Sequence, residues 1–177
     1  MRIMEACFLV FALAAPPGFL LYDQTQDFFL PVIEQLKSDV LKDSKFDTAY
    51  SIFVNNYRVC AMLLVAGALV LPSLFILSVN GFLVGFVLKY VLAREHSLSF
   101  FIKGVLLHSL FELPAIFLSA AIGIRIGLSF MTLDNRKRAK DVSRSLREAL
   151  TIHFFVVIPL LVVAALIETF VSAALIT

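Results

Sequence analysis

Residues 52–92 read IFVNNYRVCAMLLVAGALVLPSLFILSVNGFLVGFVLKYVL, an almost uninterrupted apolar stretch. A helix rises 1.5 Å per residue and needs about 20 residues to cross a hydrocarbon core about 30 Å thick, so this stretch is twice too long for one span. Two spans that meet at Leu71-Pro72-Ser73 fit it, because the residue before a proline is disfavoured in a helix. A pair of half-spanning helices near residues 70–90 is the alternative, because the turn between two full spans would be very tight and uncharged.

The composition of the whole chain agrees with a membrane protein. Of its 177 residues, 60% are apolar and 16% are charged, and the mean hydropathy is +0.95. Average soluble domains are roughly 45–50% apolar and about 25% charged. These values exclude a disordered chain, a coiled coil and a disulfide-stapled secreted domain, and they leave too little polar surface for a soluble globule. A net charge of +2 is too balanced to predict a nucleic-acid partner.

Outward from the central stretch, the apolar pattern predicts three more spans. The chain is therefore expected to be all-α, a polytopic membrane helix bundle of about five transmembrane helices in a single membrane domain, residues 1–177. The predicted spans are 3–21, 52–71, 73–92, 100–130 and 150–177. A cleaved signal peptide with a site at Ala12-Leu13-Ala14 is the alternative for the first span, and we favour the uncleaved span.

Two polar segments lie between the spans, and each contains a short amphipathic helix. Residues 27–42 are predicted to form the first of these helices, which lies within the acidic segment 22–51. Residues 134–148 form the other, which carries six basic and three acidic residues and is predicted to lie on anionic lipid headgroups. Basic loops favour the cytoplasm, so a multi-pass cell-membrane protein is expected, with a cytoplasmic N-terminus, an extracytoplasmic segment 22–51 and an extracytoplasmic C-terminus.

Ionisable side chains inside the spans are costly and need a partner or a purpose. Counted in helical rise from the span ends, Arg58, His108, Glu112 and Glu168 fall at similar depths and are predicted to form one intramembrane polar cluster. Pro114 follows Glu112 and frees a backbone carbonyl one turn earlier. Arg125 falls near the opposite edge of the membrane, where it can extend to the headgroups.

The polar cluster permits a proton relay, a substrate site or a metal site, and a buried network that fixes helix packing is the structural alternative. His108, Glu112 and Glu168 are weak candidates for metal ligands, and no cofactor is predicted. His96 and His153 fall near span ends and are expected at the membrane interface. Neither Cys7 nor Cys60 has neighbours at metal-ligand spacing, so both are interpreted as small hydrophobic residues.

Small residues and amides predict helix contacts. Gly81-x-x-x-Gly85 is one small-residue stripe, and Gly123 with Gly127 belongs to a second one that begins at Ala115. These stripes serve contacts either within one chain or between two copies, so homodimerisation stays open. The amides have separate expected roles: Asn55 and Asn56 cap the second span, and Asn80 donates a hydrogen bond across helices.

Several of these motifs, in this order, resemble the stage II sporulation protein M family of small integral membrane proteins. The resemblance runs from Phe53 to Val171 and is most specific at HSLFELPA, residues 108–115, where Ser109 replaces a usual glycine. The other matching motifs are FVNNYR (53–58), NGFLVG (80–85), GIRIG (123–127) and IETFV (167–171).

The resemblance implies an all-helical membrane domain and a scaffold role, because the family's namesake works with cell-wall-remodelling partners during spore formation. It supplies no enzymatic activity. The leading hypothesis is an integral membrane scaffold or assembly factor whose partners are other membrane or envelope proteins. The alternative is a small transporter or permease component with His108, Glu112 and Glu168 on a proton or substrate path. An intramembrane metal-dependent hydrolase ranks third.

Overall fold

The structure is a computed structural model that describes residues 2–94, 97–131 and 135–172, without the side chains of 135–138 and 172. Within these ranges every regular element is helical, which confirms the predicted all-α class. The α-helices are α1 (Arg2–Leu20), α2 (Tyr22–Val40), α3 (Lys45–Ala66), α4 (Leu71–Ala93), α5 (Leu98–Phe101), α6 (Leu107–Phe130), α7 (Asn135–Ile152) and α8 (Ile158–Leu166). A 3-10 turn follows α3 at Gly67–Leu69, and π-helical turns occupy Ile102–Leu106, His153–Val157 and Ile167–Ser172.

Among the described residues, five helical stretches are long and apolar enough to cross a membrane, which confirms a polytopic bundle. They are Arg2–Leu20, Lys45–Leu69, Leu71–Ala93, Leu98–Phe130 and Ala139–Val171. Helix α5, a π turn and α6 together form the fourth stretch. Helices α7 and α8 and the last two π turns form one continuous rod, here called the terminal rod, which contains the fifth.

Contacts between the spans fix their directions. Gly81 and Gly85 of α4 pack on Phe11 and Ala15 of α1 respectively, so α1 and α4 run parallel. Gly123 and Gly127 of α6 pack in the same sequential order on Leu64 and Ala68, so α3 and α6 also run parallel. His108 meets Glu168, and Arg125 meets Glu148, so the terminal rod runs antiparallel to α6. The five spans therefore alternate in direction along the chain.

The break between the second and third spans lies at Val70, one residue before the predicted proline boundary. Val70 has φ 59° and ψ −66°, a backbone region that a β-branched residue rarely adopts. Pro72 lies in the first turn of α4, where its missing N–H needs no helical partner. The Ser73 hydroxyl donates to the Leu63 carbonyl at 3.3 Å and ties the two helices together. Helices of 22 and 23 residues favour two full spans over the half-spanning alternative.

Both small-residue stripes are used inside the chain. A Cβ placed on Gly81 would overlap the Phe11 carbonyl, and one on Gly85 would overlap the Ala15 carbonyl. A Cβ on Gly123 would overlap the backbone of Leu63 and Leu64. The helices approach backbone to backbone at these points, so neither stripe is free for contact with a second copy.

The two amphipathic segments differ in extent from their predictions. Helix α2 begins at Tyr22, directly after α1, instead of near residue 27. Helix α7 does not end near residue 148 but continues into the terminal rod, because residues 148–153 offer no proline or glycine to stop it. Residues 132–134 and 173–177 of the predicted segments lie outside the described part of the chain, as does His96.

Candidate functional site

Three of the four residues predicted for the intramembrane cluster come together. His108 and Glu112 lie one turn apart on α6, with 3.8 Å between Nε2 and Oε2. Glu168 approaches from the terminal rod, and its Oε2 also lies 3.8 Å from Nε2 of His108. One imidazole nitrogen therefore lies close to two carboxylates that belong to different spans.

Two π-helical turns position the cluster, and the sequence pattern gave no sign of either. Ile102–Leu106 ends immediately before α6 and His108, while Ile167–Ser172 contains Glu168. A π turn accommodates an extra residue in one helical turn, so the side chains beyond it face a different direction from those of an uninterrupted α-helix, and such turns recur at functional sites. Here they direct Glu168 toward His108 and bring Gly104 to the same end of the bundle.

Two polar atoms at the cluster are buried without a hydrogen-bond partner in the described part of the chain. They are Nδ1 of His108 and Oγ1 of Thr169. The side chain of His108 is 11% exposed, while that of Glu168 is 36% exposed. Buried polar atoms are almost always hydrogen-bonded, so these two are available to a water or a ligand.

Arg58 is not a member of the cluster, and this part of the prediction is wrong. The buried face of α3 is formed by Ile52, Asn56, Cys60 and Leu63. Arg58 lies on another side of the helix, where it is exposed beside Leu36, Asp39 and Val40 of α2. The prediction for Arg58 rested on its depth in the membrane, counted from helical rise. Helical rise alone does not determine which face of a helix a residue occupies.

A cavity of about 610 Å³ opens beside the cluster. Its walls come from the inner face of α2, the start of α3, Gly104 in the first π turn, and Glu168 with Thr169 in the last. Most of the lining is apolar, and the basic residues that line it are Lys37, Lys42 and Lys45. The cavity therefore combines apolar, basic and acidic lining residues.

A known protein family matches nearly the whole of this chain. The model of the family "stage II sporulation protein M" matches residues 6–173. The chain belongs to the stage II sporulation protein M family. The match includes the first span and segment 22–51, beyond the Phe53–Val171 region on which the resemblance rested. No curated protein and no solved structure matches the chain.

In this family member, the amide residues and the proline singled out in the sequence all lie inside helices. Asn55 and Asn56 lie inside α3 and do not cap it, because the helix begins at Lys45. Asn80 donates to the Ile76 carbonyl of its own helix at 2.8 Å, so the predicted bond across helices is not formed. Pro114 lies inside α6, which continues on both sides of it.

This member of the stage II sporulation protein M family has a second group of charged residues, which the sequence pattern did not predict. The group consists of Arg125, Arg144 and Glu148. Glu148 accepts from Arg144 at 2.9 Å and also pairs with Arg125, so it joins α6 to the terminal rod. Arg144 and Glu148 are four residues apart, a spacing that favours pairing, and this was the available signal. His153, expected at the interface, is instead buried with its ring 5.3 Å from that of Tyr57, because the helix continues past residue 148.

The cluster of this family member brings together the three weak candidates for metal ligands, His108, Glu112 and Glu168. Among the residues that the structure describes, no group of three His, Cys, Asp or Glu side chains is disposed to hold a metal ion. Cys7 and Cys60 are both buried free thiols within the apolar core.

Proposed function

We propose that this protein is a membrane scaffold whose spans form a rigid base and whose helix α2 docks another envelope protein. The observation that carries this proposal is an exposed apolar stripe on α2. Phe28 is 70% exposed and Val32 is 43% exposed, on one face of a helix that is not among the candidate spans. Single exposed apolar residues are ordinary, but neighbours one turn apart are typical of a helix-docking surface.

The packing of the spans supports a rigid base. The α1–α4 and α3–α6 pairs approach each other closely at their glycines, where a Cβ would overlap backbone atoms of the facing helix. Interfaces of this kind tolerate little sliding, since any displacement brings backbone atoms into overlap. A transporter that rocks one group of helices against another would need such interfaces to move.

The partner chemistry follows from the surroundings of the stripe. Asp27 and Glu34 are exposed on another face of the same helix, so a partner whose apolar groove receives Phe28 and Val32 would complement α2 without contacting these carboxylates. We place α2 on the extracytoplasmic side, because the six basic residues of 134–148 at the other end favour the cytoplasm. This position agrees with the cell-wall-remodelling partners that the family resemblance implies.

Quantitative co-purification from native membranes tests the scaffold proposal. The double variant Phe28→Ser with Val32→Ser is expected to lose most of its co-purifying envelope protein and to keep its own thermal stability, because neither side chain is buried in the bundle. The double variant Asp27→Ser with Glu34→Ser removes two exposed side chains from other positions on α2 and is the control. Equal yields of partner from the two variants would contradict the proposal.

A transporter is the second candidate, favoured by the connection between the cavity and Glu168 of the cluster. It predicts pH-dependent flux into proteoliposomes that Glu112→Gln abolishes while the variant stays folded. The scaffold proposal predicts no such flux from the wild-type protein. It also predicts an unchanged partner yield for Glu112→Gln, since the side chain lies within the bundle, away from α2.

A further inference from the structure

The cavity under α2 has two chemically distinct parts, neither of which the scaffold role uses. The apolar part is formed by Ile33, Leu36 and Val40 of α2 together with Ile52 of α3. The basic part is formed by Lys37, Lys42 and Lys45, which follow one another around the turn from α2 into α3. A volume of about 610 Å³ lies within the range of roughly 300–1,000 Å³ typical of small-molecule sites.

The three lysines are not neutralised by neighbouring carboxylates. In the described ranges, no ion pair involves any of them. The amine of Lys37 instead lies 5.6 Å from the ring centroid of Tyr90, and that of Lys45 lies 6.0 Å from the ring centroid of Phe170. Aromatic faces hold an ammonium group in place without removing its charge.

The acidic residues near this turn face other surfaces, with one exception. Asp43 and Asp47 line an adjoining pocket that shares Leu41 and Lys42 with the cavity, and Asp39 lines another pocket with Arg58. Glu168 is the carboxylate that lines the cavity itself, next to the unpaired hydroxyl of Thr169. The lining of the cavity therefore includes three lysines, one carboxylate and one hydroxyl group.

We propose that this cavity binds an anionic glycerophospholipid, with its phosphate on Lys37, Lys42 and Lys45 and its acyl chain along Ile33 and Ile52. Helix α2 begins directly after the first span, and α3 begins the second at Lys45, so the lysines lie at the level where headgroups lie. Glu168 and Thr169 complement headgroup hydroxyls. The site is separate from the basic segment 134–148, which belongs to the opposite end of the bundle.

Native mass spectrometry of the full chain in detergent tests this proposal, with phosphatidylglycerol and phosphatidylcholine of equal chain length as probes. We expect the wild type to prefer phosphatidylglycerol by at least about tenfold, since each lysine near a charged lipid contributes measurable affinity. The triple variant Lys37→Gln, Lys42→Gln and Lys45→Gln is expected to lose this preference.

A matched variant controls for the loss of charge. Lys89, Arg94 and Arg58 carry the same total charge and do not line the cavity, so Lys89→Gln, Arg94→Gln and Arg58→Gln together are expected to keep the preference within about twofold. Equal loss in the two triple variants would overturn the proposal, because it would show attraction by overall charge. Equal binding of the two lipids to the wild type would overturn it as well.

Two further arms separate the possible causes of a loss. Val40→Trp fills the cavity and leaves every lysine in place, so it is expected to weaken phosphatidylglycerol binding with the fold intact by circular dichroism. Unchanged binding in this variant would place the lipid elsewhere. Soluble glycerol phosphate in millimolar excess is expected to leave the bound lipid in place, and complete displacement would show that the acyl chain contributes nothing.

Discussion

His108 of α6 and Glu168 of the terminal rod meet with 3.8 Å between Nε2 and Oε2, although they belong to different spans. Glu112 approaches the same imidazole nitrogen at the same distance. One nitrogen of His108 is therefore shared by the carboxylates of Glu112 and Glu168. This arrangement gives His108 a structural role in joining the fourth and fifth spans, whatever else the cluster binds.

Removal of the imidazole is expected to destabilise the bundle. His108→Ala leaves two carboxylates without their shared neighbour, so we predict a loss of about 1–3 kcal/mol in the free energy of unfolding. The measurement is thermal unfolding in detergent, followed by far-UV circular dichroism. Adding Glu168→Gln to His108→Ala should recover part of the loss, because it removes one of the two charges. An additive effect of the two substitutions would contradict a direct relationship.

The glycine contacts predict a strong dependence on side-chain size. Gly81→Leu and Gly123→Leu each place carbon atoms where a neighbouring backbone already lies, so the helix pairs must separate. We expect each to cost about 2–4 kcal/mol or to abolish folding, as overpacked cores do. Val65→Ile also enlarges a side chain in a span but at a position that is 75% exposed, so unfolding should be almost unchanged. A similar effect of all three substitutions would contradict the packing described.

The charges that join α6 to the terminal rod should contribute modestly. Arg125 is 49% exposed in its pair with Glu148, so Arg125→Gln is expected to lower the temperature of unfolding only slightly at low ionic strength. The effect should disappear in high salt, because exposed pairs are screened. Arg147→Gln, which removes an exposed charge from the same region, is the control and should have no such salt dependence.

The geometry of the cluster predicts that it works without a bound metal. Elemental analysis of the purified wild type and of His108→Ala should give the same substoichiometric metal content for both, because the described His, Cys, Asp and Glu side chains form no three-ligand group. Stoichiometric metal in the wild type that is lost in His108→Ala would contradict this prediction. It would also direct attention to the hydrolase hypothesis.

Much of the fold is predictable from the sequence, because lipid constrains it strongly. Every backbone polar group in a membrane must be satisfied, so long apolar stretches have to be helices, and the described part of the chain has five helical stretches long and apolar enough to cross a membrane. The stripe of Gly81 and Gly85 lies against the backbone of α1. The sequence alone left open whether the contact is within the chain, because that depends on which helices become neighbours.

The site was less predictable, because the sequence does not show which face of its helix each residue turns toward the other spans. Spacing placed His108 and Glu112 on one face correctly, since they lie on the same helix. Arg58 was assigned by depth alone and lies on another face of α3. The π turn at Ile167–Ser172, which determines the direction of Glu168, leaves no recognisable composition signal. Similarly, the cavity exists because α2 folds back over the spans, which its own sequence does not encode.

The most direct test of the scaffold account is site-specific photo-crosslinking from α2 in living cells. A benzophenone amino acid at position 32, on the exposed stripe, is compared with the same amino acid at position 34, which is exposed elsewhere on α2. The account predicts one discrete crosslinked protein from position 32, much weaker crosslinking from position 34, and an undiminished product when Glu112→Gln is added. Crosslinking only to lipid from position 32, or equal products from both positions, would contradict the claim that α2 docks a partner.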